Sequence, residues 1–147
     1  MDWSVTPNKK AEYALRALVD LAIHAAPGTF VSTASVARRT GAPAKFLEAI
    51  FGELRRAGIV ESRRGADGGH RLARPASSIT AGEAWRAVSG PVTGTPRRRV
   101  PASGAGRAVH QLLAEIDLAV AATVDAVAIE ELARRSIEAD GVADYAI

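Results

Sequence analysis

The chain contains no cysteine among its 147 residues. That absence excludes disulfides, thiolate zinc sites, cysteine-ligated iron–sulfur clusters and a cysteine nucleophile. Aromatic residues make up only 5%, so aliphatic side chains and alanine must fill any core. No apolar run approaches the roughly 20 residues that span a bilayer. The first residues, MDWSVTPNKK, lack the apolar stretch of a secretory signal, so the expected location is cytoplasmic. No phosphate-binding glycine loop, nucleophile elbow or zinc spacing occurs, and His24, His70 and His110 stand far apart. The reading is of a chain that is not an enzyme, with no catalytic residue, no metal site and no cofactor.

What is present is 48% apolar, enough to argue against global disorder. The length suits one domain with an appended element, and abundant alanine favours helices. Net charge is +3, unevenly placed. Residues 1–90 hold 13 Lys and Arg against 8 Asp and Glu, whereas residues 91–147 hold 6 against 8. Such asymmetry fits a polyanion-binding module joined to an association or sensing module.

Thr6 and Pro7 read as the N-cap and first position of a helix running to about Ala25, with Tyr13, Ala14, Leu18, Leu21 and Ala22 on one face. Thr29 to Val31 suits a very short strand. Ser32 caps a second helix to about Thr40, with Val36 and Ala37 inward and Arg38 and Arg39 outward, and Gly41 stops it. Pro43 opens a third helix ending near Ala57-Gly58, its core face Phe46, Leu47, Ile50, Phe51 and Leu54. Two helices joined by a short glycine-containing turn form the helix-turn-helix pattern. Ile59–Arg63 and His70–Ala73 read as strands of a hairpin, and Thr80–Glu83 as the capping box of a fourth helix ending near Gly90.

Residues 91–106 hold three prolines, three glycines and three consecutive arginines, the composition of a flexible loop. A long helix from about Ala108 follows. Val109, Leu113, Ile116, Val120, Thr123 and Val127 recur close to every 3.5 residues, as in a helix that pairs with another helix. A last helix is expected over about Ile129 to Ala139. The fold class is therefore mainly α: a winged helix-turn-helix domain with a small β-hairpin wing, plus a long C-terminal dimerisation helix. The expected divisions are a DNA-binding domain at 1–90, a loop at 91–106, and dimerisation and C-terminal helices at 107–147.

The third helix offers an outward edge of Ala42, Ala44, Lys45, Glu48 and Ala49. Small residues allow close approach to base edges, Lys45 reaches guanine or phosphate, and Glu48 accepts from cytosine N4. In the hairpin, Arg63, Arg64, Arg71 and Arg74 surround a turn containing Gly65, Gly68 and Gly69. An arginine at a wing tip can enter a narrow minor groove. Strand alternation sends Arg63 and Arg64 to different faces. Lys9, Lys10, Arg38 and Arg39 are candidates for phosphate contacts. His70 either donates to phosphate or packs as an aromatic ring.

In KKAEYALRALVDLA (Lys9 to Ala22), PAKFLEAIFGELRRAGIVESRRGADGGHRLARP (Pro43 to Pro75) and SSITAGEAWRAVSGP (Ser77 to Pro91) the chain resembles the Rrf-two (BadM/Rrf-type) winged-helix transcription regulators. VAIEELARR, Val127 to Arg135, is a weaker match. The resemblance implies a homodimer crossed through the long helix, with the third helix in the major groove and the wing in the minor groove of a pseudo-palindromic operator. It also implies DNA contacts at Lys10, Ala44, Lys45, Glu48, Arg64 and Gly65. Cluster-binding relatives carry three cysteines, which would fall near Thr95, Pro101 and Arg107, so this member lacks those ligands. His110 lies about where some relatives place a histidine ligand, and reads here as a remnant or an ordinary helix residue. The expectation is a homodimeric, cluster-free DNA-binding regulator, a repressor, whose partners are double-stranded DNA and a second copy. Its effector, small molecule or protein, is open, and no membrane is involved. The alternative is a winged-helix module that docks to protein and has only non-specific DNA affinity.

Overall fold

The computed structural model describes residues 9–92 and 99–145, with side chains through residue 141. Helix α1 (Lys9–His24) carries a face of Ala11, Ala14, Ala17, Leu18 and Leu21, all buried. The proposed Thr6-Pro7 start lies outside the described residues. Helix α2 (Thr33–Thr40) is capped by the Ser32 hydroxyl, which accepts from the Ser35 amide, and ends at Gly41 with φ of 75°. Helix α3 (Ala44–Arg56) follows, with Pro43 as an N-cap that supplies no side-chain hydrogen bond.

Strands β1 (Val60–Arg63) and β2 (Gly69–Leu72) pair antiparallel, Val60 opposite Leu72 and Arg63 opposite Gly69. The expected ends Ile59 and Ala73 fall just outside the strands but are still joined, Ala73 N donating to Ile59 O at 2.9 Å. The short strand expected at 29–31 is a single antiparallel bridge between Val31 and His70. After a turn of 3-10 helix at Ala76–Ser78 comes α4 (Ala81–Ser89), capped by Thr80, whose hydroxyl accepts from the Glu83 amide. Only this half of the expected capping box is a cap. The Glu83 carboxylate instead pairs with Arg74.

Helix α5 (Gly104–Asp125) begins earlier than about Ala108, because Ser103 caps it by accepting from the Gly106 amide at 3.0 Å. The expected loop therefore ends at residue 103, and its residues 93–98 lie outside the described residues. Helix α6 (Ile129–Tyr145) runs past the expected end at Ala139 and returns to pack on α1. Among the described residues, no helix is long and apolar enough to cross a membrane.

The core lies where α1, α3 and α4 meet under the hairpin: Leu18, Leu21, Val36, Leu47, Ile50, Phe51, Leu54, Ile59 and Ile79, with Ile129 from α6. Phe46, expected to join it, is 44% exposed and meets the Tyr13 ring edge-on instead, centroids 5.8 Å apart. It sits one residue before the buried Leu47, at the flank of the apolar stripe. Conversely Ala42, expected on an outward edge, is buried as part of the turn between α2 and α3. Phe51 is fully buried, so Phe51→Ala should cost about 3–5 kcal/mol in urea unfolding. Leu118, at 71% exposure, should cost within about 0.5 kcal/mol when changed to Ala in a monomeric sample.

Candidate nucleic-acid interface

The turn between α2 and α3 is held by short-range capping, and α3 is then fixed by Leu47, Ile50, Phe51 and Leu54 beneath it. The opposite side carries Lys45, Glu48, Ala49, Arg55 and Arg56, all exposed, with Gly52 among them. At helical spacing these form one continuous stripe. Sequence reasoning found only its first half. Arg55 and Arg56 continue it about two turns beyond Glu48 and Ala49, a signal present in the same periodicity. Ala44 is exposed near its start.

The two flanks of that stripe are tied to different parts of the fold. On one side the α1 N-terminus arrives: Lys10 Nζ meets Glu53 Oε1 at 2.5 Å, and Tyr13 meets Phe46. Lys10 is thus engaged inside the protomer, although an ammonium has three donors. Lys9 is largely exposed, with Glu12 at 3.6 Å. On the other side stands the hairpin, docked through His70. Its ring stacks on Phe51, centroids 3.8 Å apart and planes 12° apart. Nε2 lies 2.9 Å from Thr33 Oγ1 and Nδ1 2.7 Å from Ser62 Oγ. With both nitrogens engaged, His70 takes the packing role of the two the sequence allowed. Burial first, and the nearby Arg55 charge second, push it down to about 4.

The wing's charges divide as strand alternation requires. Arg63 and Arg71 lie over the Phe30 ring, each 4.5 Å from its centroid, and Arg71 also holds Glu61 at 2.8 Å. Arg64, next along, is exposed at the turn and makes no ion pair among the described residues. Gly65 has φ of 108° with open space around it, a conformation that strongly favours glycine. Gly68 and Gly69 answer to the fold itself. A Cβ would come within 2.2 Å of Arg63 O at Gly68, and within 2.2 Å of Val31 O at Gly69.

Arg39 lies on the exposed side of α2 as expected, but its guanidinium is engaged within the protomer. Its Nε and Nη2 each donate to Asp20 at 2.8 Å, a bidentate pair tying α2 to α1 that raises its pKa. Arg38 beside it is exposed. Of the association residues, Val109 and Ile116 are more than 45% exposed, while Leu113, Val120 and Val127 are partly covered. Thr123 is exposed and its hydroxyl donates to Ala119 O. No residue of α5 is buried.

A winged helix-turn-helix with a bare recognition stripe and an arginine-tipped wing belongs to a class of nucleic-acid-reading folds. The chain matches the Rrf2 family, described as an iron-dependent transcriptional regulator, over residues 7–135, and it belongs to that family. It is 49% identical to the HTH-type transcriptional regulator IscR of Cereibacter sphaeroides over 80 residues, 54% of this chain and 52% of that one. IscR of Aliivibrio salmonicida is 33% identical over 125 residues, 84% of this chain and 74% of that one. The chain spans about half the length of the first curated relatives it matches. Among solved structures, CymR of B. subtilis, the global cysteine regulator, superposes with a TM-score of 0.76 at 30% identity, over 88% of this chain and 97% of that one. The IscR structure from T. potens gives 0.73 at 27% identity, over 91% and 90%. The family's iron does not fit the donors present here. The sequence has no cysteine, and among the described residues no three His, Asp or Glu gather where they could hold a metal ion.

The His70 environment carries a pH dependence. The unfolded imidazole titrates near 6.5 and the folded one near 4, so the unfolded chain binds more protons between those values. The neutral ring's contribution is full above 6.5 and is lost as pH falls toward 4. His70→Phe keeps a stacking ring without the proton. Urea midpoints measured against pH should show a shallower decline across that window for the variant than for the wild type.

Proposed function

We propose that the chain is a sequence-specific DNA-binding transcriptional regulator, a repressor, acting as a homodimer on a pseudo-palindromic operator without an iron–sulfur cluster. The observation that carries this is the α3 stripe: Lys45, Glu48, Ala49, Gly52 and Arg56 present a surface with little bulk at its centre and charge at its ends. Such a surface fits the major groove. Lys45 and Glu48 supply a donor and an acceptor for base edges, and alanine and glycine permit close approach. Arg64 and Gly65 at the wing tip enter the neighbouring minor groove, while Lys9, Lys10 and Arg38 neutralise phosphates. Arg39, Arg63, Gly68, Gly69 and His70 contribute by holding the wing and α2 in place.

The DNA-reading unit in this proposal is residues 1–90, and α5 supplies association. A two-half-site operator requires two copies, and the uncovered Val109, Leu112 and Ile116 on α5 give them a seam. The site of action is the cytoplasm, where a bacterial-type regulator meets DNA.

Duplexes selected from a random library provide the test. Arg64→Ala should weaken binding to the selected sequence by about 1–3 kcal/mol and relax preference at minor-groove positions. Lys9→Ala should weaken all duplexes alike and lower the salt slope by about one counterion. Equal affinity for selected and random DNA, unaffected by Arg64→Ala, would favour a protein-docking module instead. Ile116→Glu should give a monomer in sedimentation at micromolar concentration, with the circular dichroism of the fold unchanged.

A further inference from the structure

Helix α5 is 22 residues long with none buried, so little within the protomer sets its direction. It meets the reading unit chiefly at α4; besides Val124, half-buried against the core, the contact has two polar parts. The first is a backbone strap just beyond its C-terminus. Ala81 N donates to Val127 O and Ile129 N to Ile79 O, both at 2.8 Å. The second is a bidentate ion pair: Arg86 Nη1 and Nη2 donate to the two Asp125 oxygens at 2.6 and 2.9 Å.

Gly82 stands one turn before Arg86 on α4 and is buried. A Cβ there would lie 2.0 Å from Asp125 Oδ1 and 3.0 Å from Arg86 Nη1. The carboxylate can therefore lie directly against the α4 backbone only because residue 82 has no side chain. Two adjacent backbone hydrogen bonds and the half-buried Val124 locate the end of α5, but a contact confined to its last turn resists rotation less than one along its length. The ion pair, on the α5 side of that strap, opposes the rotation.

We propose that Gly82, Arg86 and Asp125 are positioning residues that set the angle between α5 and the reading unit, and so set the operator half-site spacing that the dimer accepts. This rests on the reading of the chain as a homodimer on paired half-sites. In such a dimer a change of α5 angle is carried in full to the separation of the two α3 helices. Half-sites one helical turn apart then engage together only at one angle. The exposure of the pair, 43% and 45% on the two side chains, means that it adds little to folding stability. Removing it is therefore a geometric perturbation more than a destabilising one.

The experiment uses the full chain and a duplex series. Paired half-sites are selected from random DNA with the wild type. The spacer is then lengthened or shortened base pair by base pair, and a single half-site duplex serves as reference. Asp125→Asn and Gly82→Ala should both remain dimers by sedimentation and bind the single half-site as the wild type does. Each should lose about tenfold of its affinity for the selected spacing while losing less at altered spacings, because only simultaneous engagement is affected. Arg86→Asp combined with Asp125→Arg, which restores the pair with charges exchanged, should recover spacing preference. A purely structural role would shift melting temperature and weaken all duplexes together.

An unchanged spacing profile in Asp125→Asn, with the wild type selecting paired half-sites, overturns the angle-setting role alone. A wild type that selects no paired half-sites overturns the dimeric-operator reading and this inference with it. Asp125→Asn guards against a misfolded Gly82→Ala, since it changes no volume.

Discussion

The His70 imidazole lies flat on Phe51 with its two nitrogens hydrogen-bonded to Thr33 and Ser62, and the placement of the wing depends on that arrangement. Thr33 opens α2, Phe51 is the largest fully buried side chain and belongs to α3, and Ser62 is on β1. One ring thus couples both helices of the helix-turn-helix to both strands of the hairpin. The main chain of the same residue adds a bridge to Val31, possible only because Gly69 beside it has no Cβ. Burial of the ring first, and the nearby Arg55 charge second, oppose its protonation. The depressed His70 pKa is the electrostatic expression of the same packing.

That node explains how a two-stranded hairpin, marginal by itself, can present an arginine in a defined direction. Arg63 and Arg71 against Phe30 steady the outer face of the hairpin, while Arg64 is left at the turn. The basic surplus of the first 90 residues accordingly splits into two populations. Lys10, Arg39, Arg74 and Arg86 hold the protomer together through Glu53, Asp20, Glu83 and Asp125. Lys45, Arg38, Arg55, Arg56 and Arg64 are exposed and make no ion pair among the described residues. Charge counting treats all of them alike, although the first population already has partners within the protomer.

The same division marks what could be read in advance. Helix α2 and its caps, the α3 core stripe and the hairpin were legible because each follows from local rules: a hydroxyl before a helix, a glycine after it, apolar residues every three or four. The role of Arg39 was not, since Asp20 is 19 residues away and becomes its partner only when α1 and α2 pack. Ala42 is ambiguous in sequence for a related reason: its small size suits a bare outer surface and a tight buried turn equally well. The start of α5 is hard to see because Ser103, which satisfies the Gly106 amide and starts the helix, stands inside a glycine- and proline-rich stretch whose composition reads as loop. In α3, Phe46 looked like core by residue type, while helical phase puts it at the edge of the apolar stripe, beside Tyr13.

A family described by its dependence on iron is represented here by a chain that has no thiolate for it. The consequence for control of DNA binding is geometric. The stripe on α3 and the wing are rigidly joined through His70 and a buried core, so a signal that altered only the reading surface would have to break that packing. The attachment of α5 is of another kind: two backbone hydrogen bonds, an exposed ion pair against α4 and the half-buried Val124, with no fully buried side chain on the helix. Small changes in free energy can move a contact of that strength, whereas they cannot move a packed core. Where two copies must engage DNA together, a change of angle at that attachment alters the affinity of the pair without altering either reading surface.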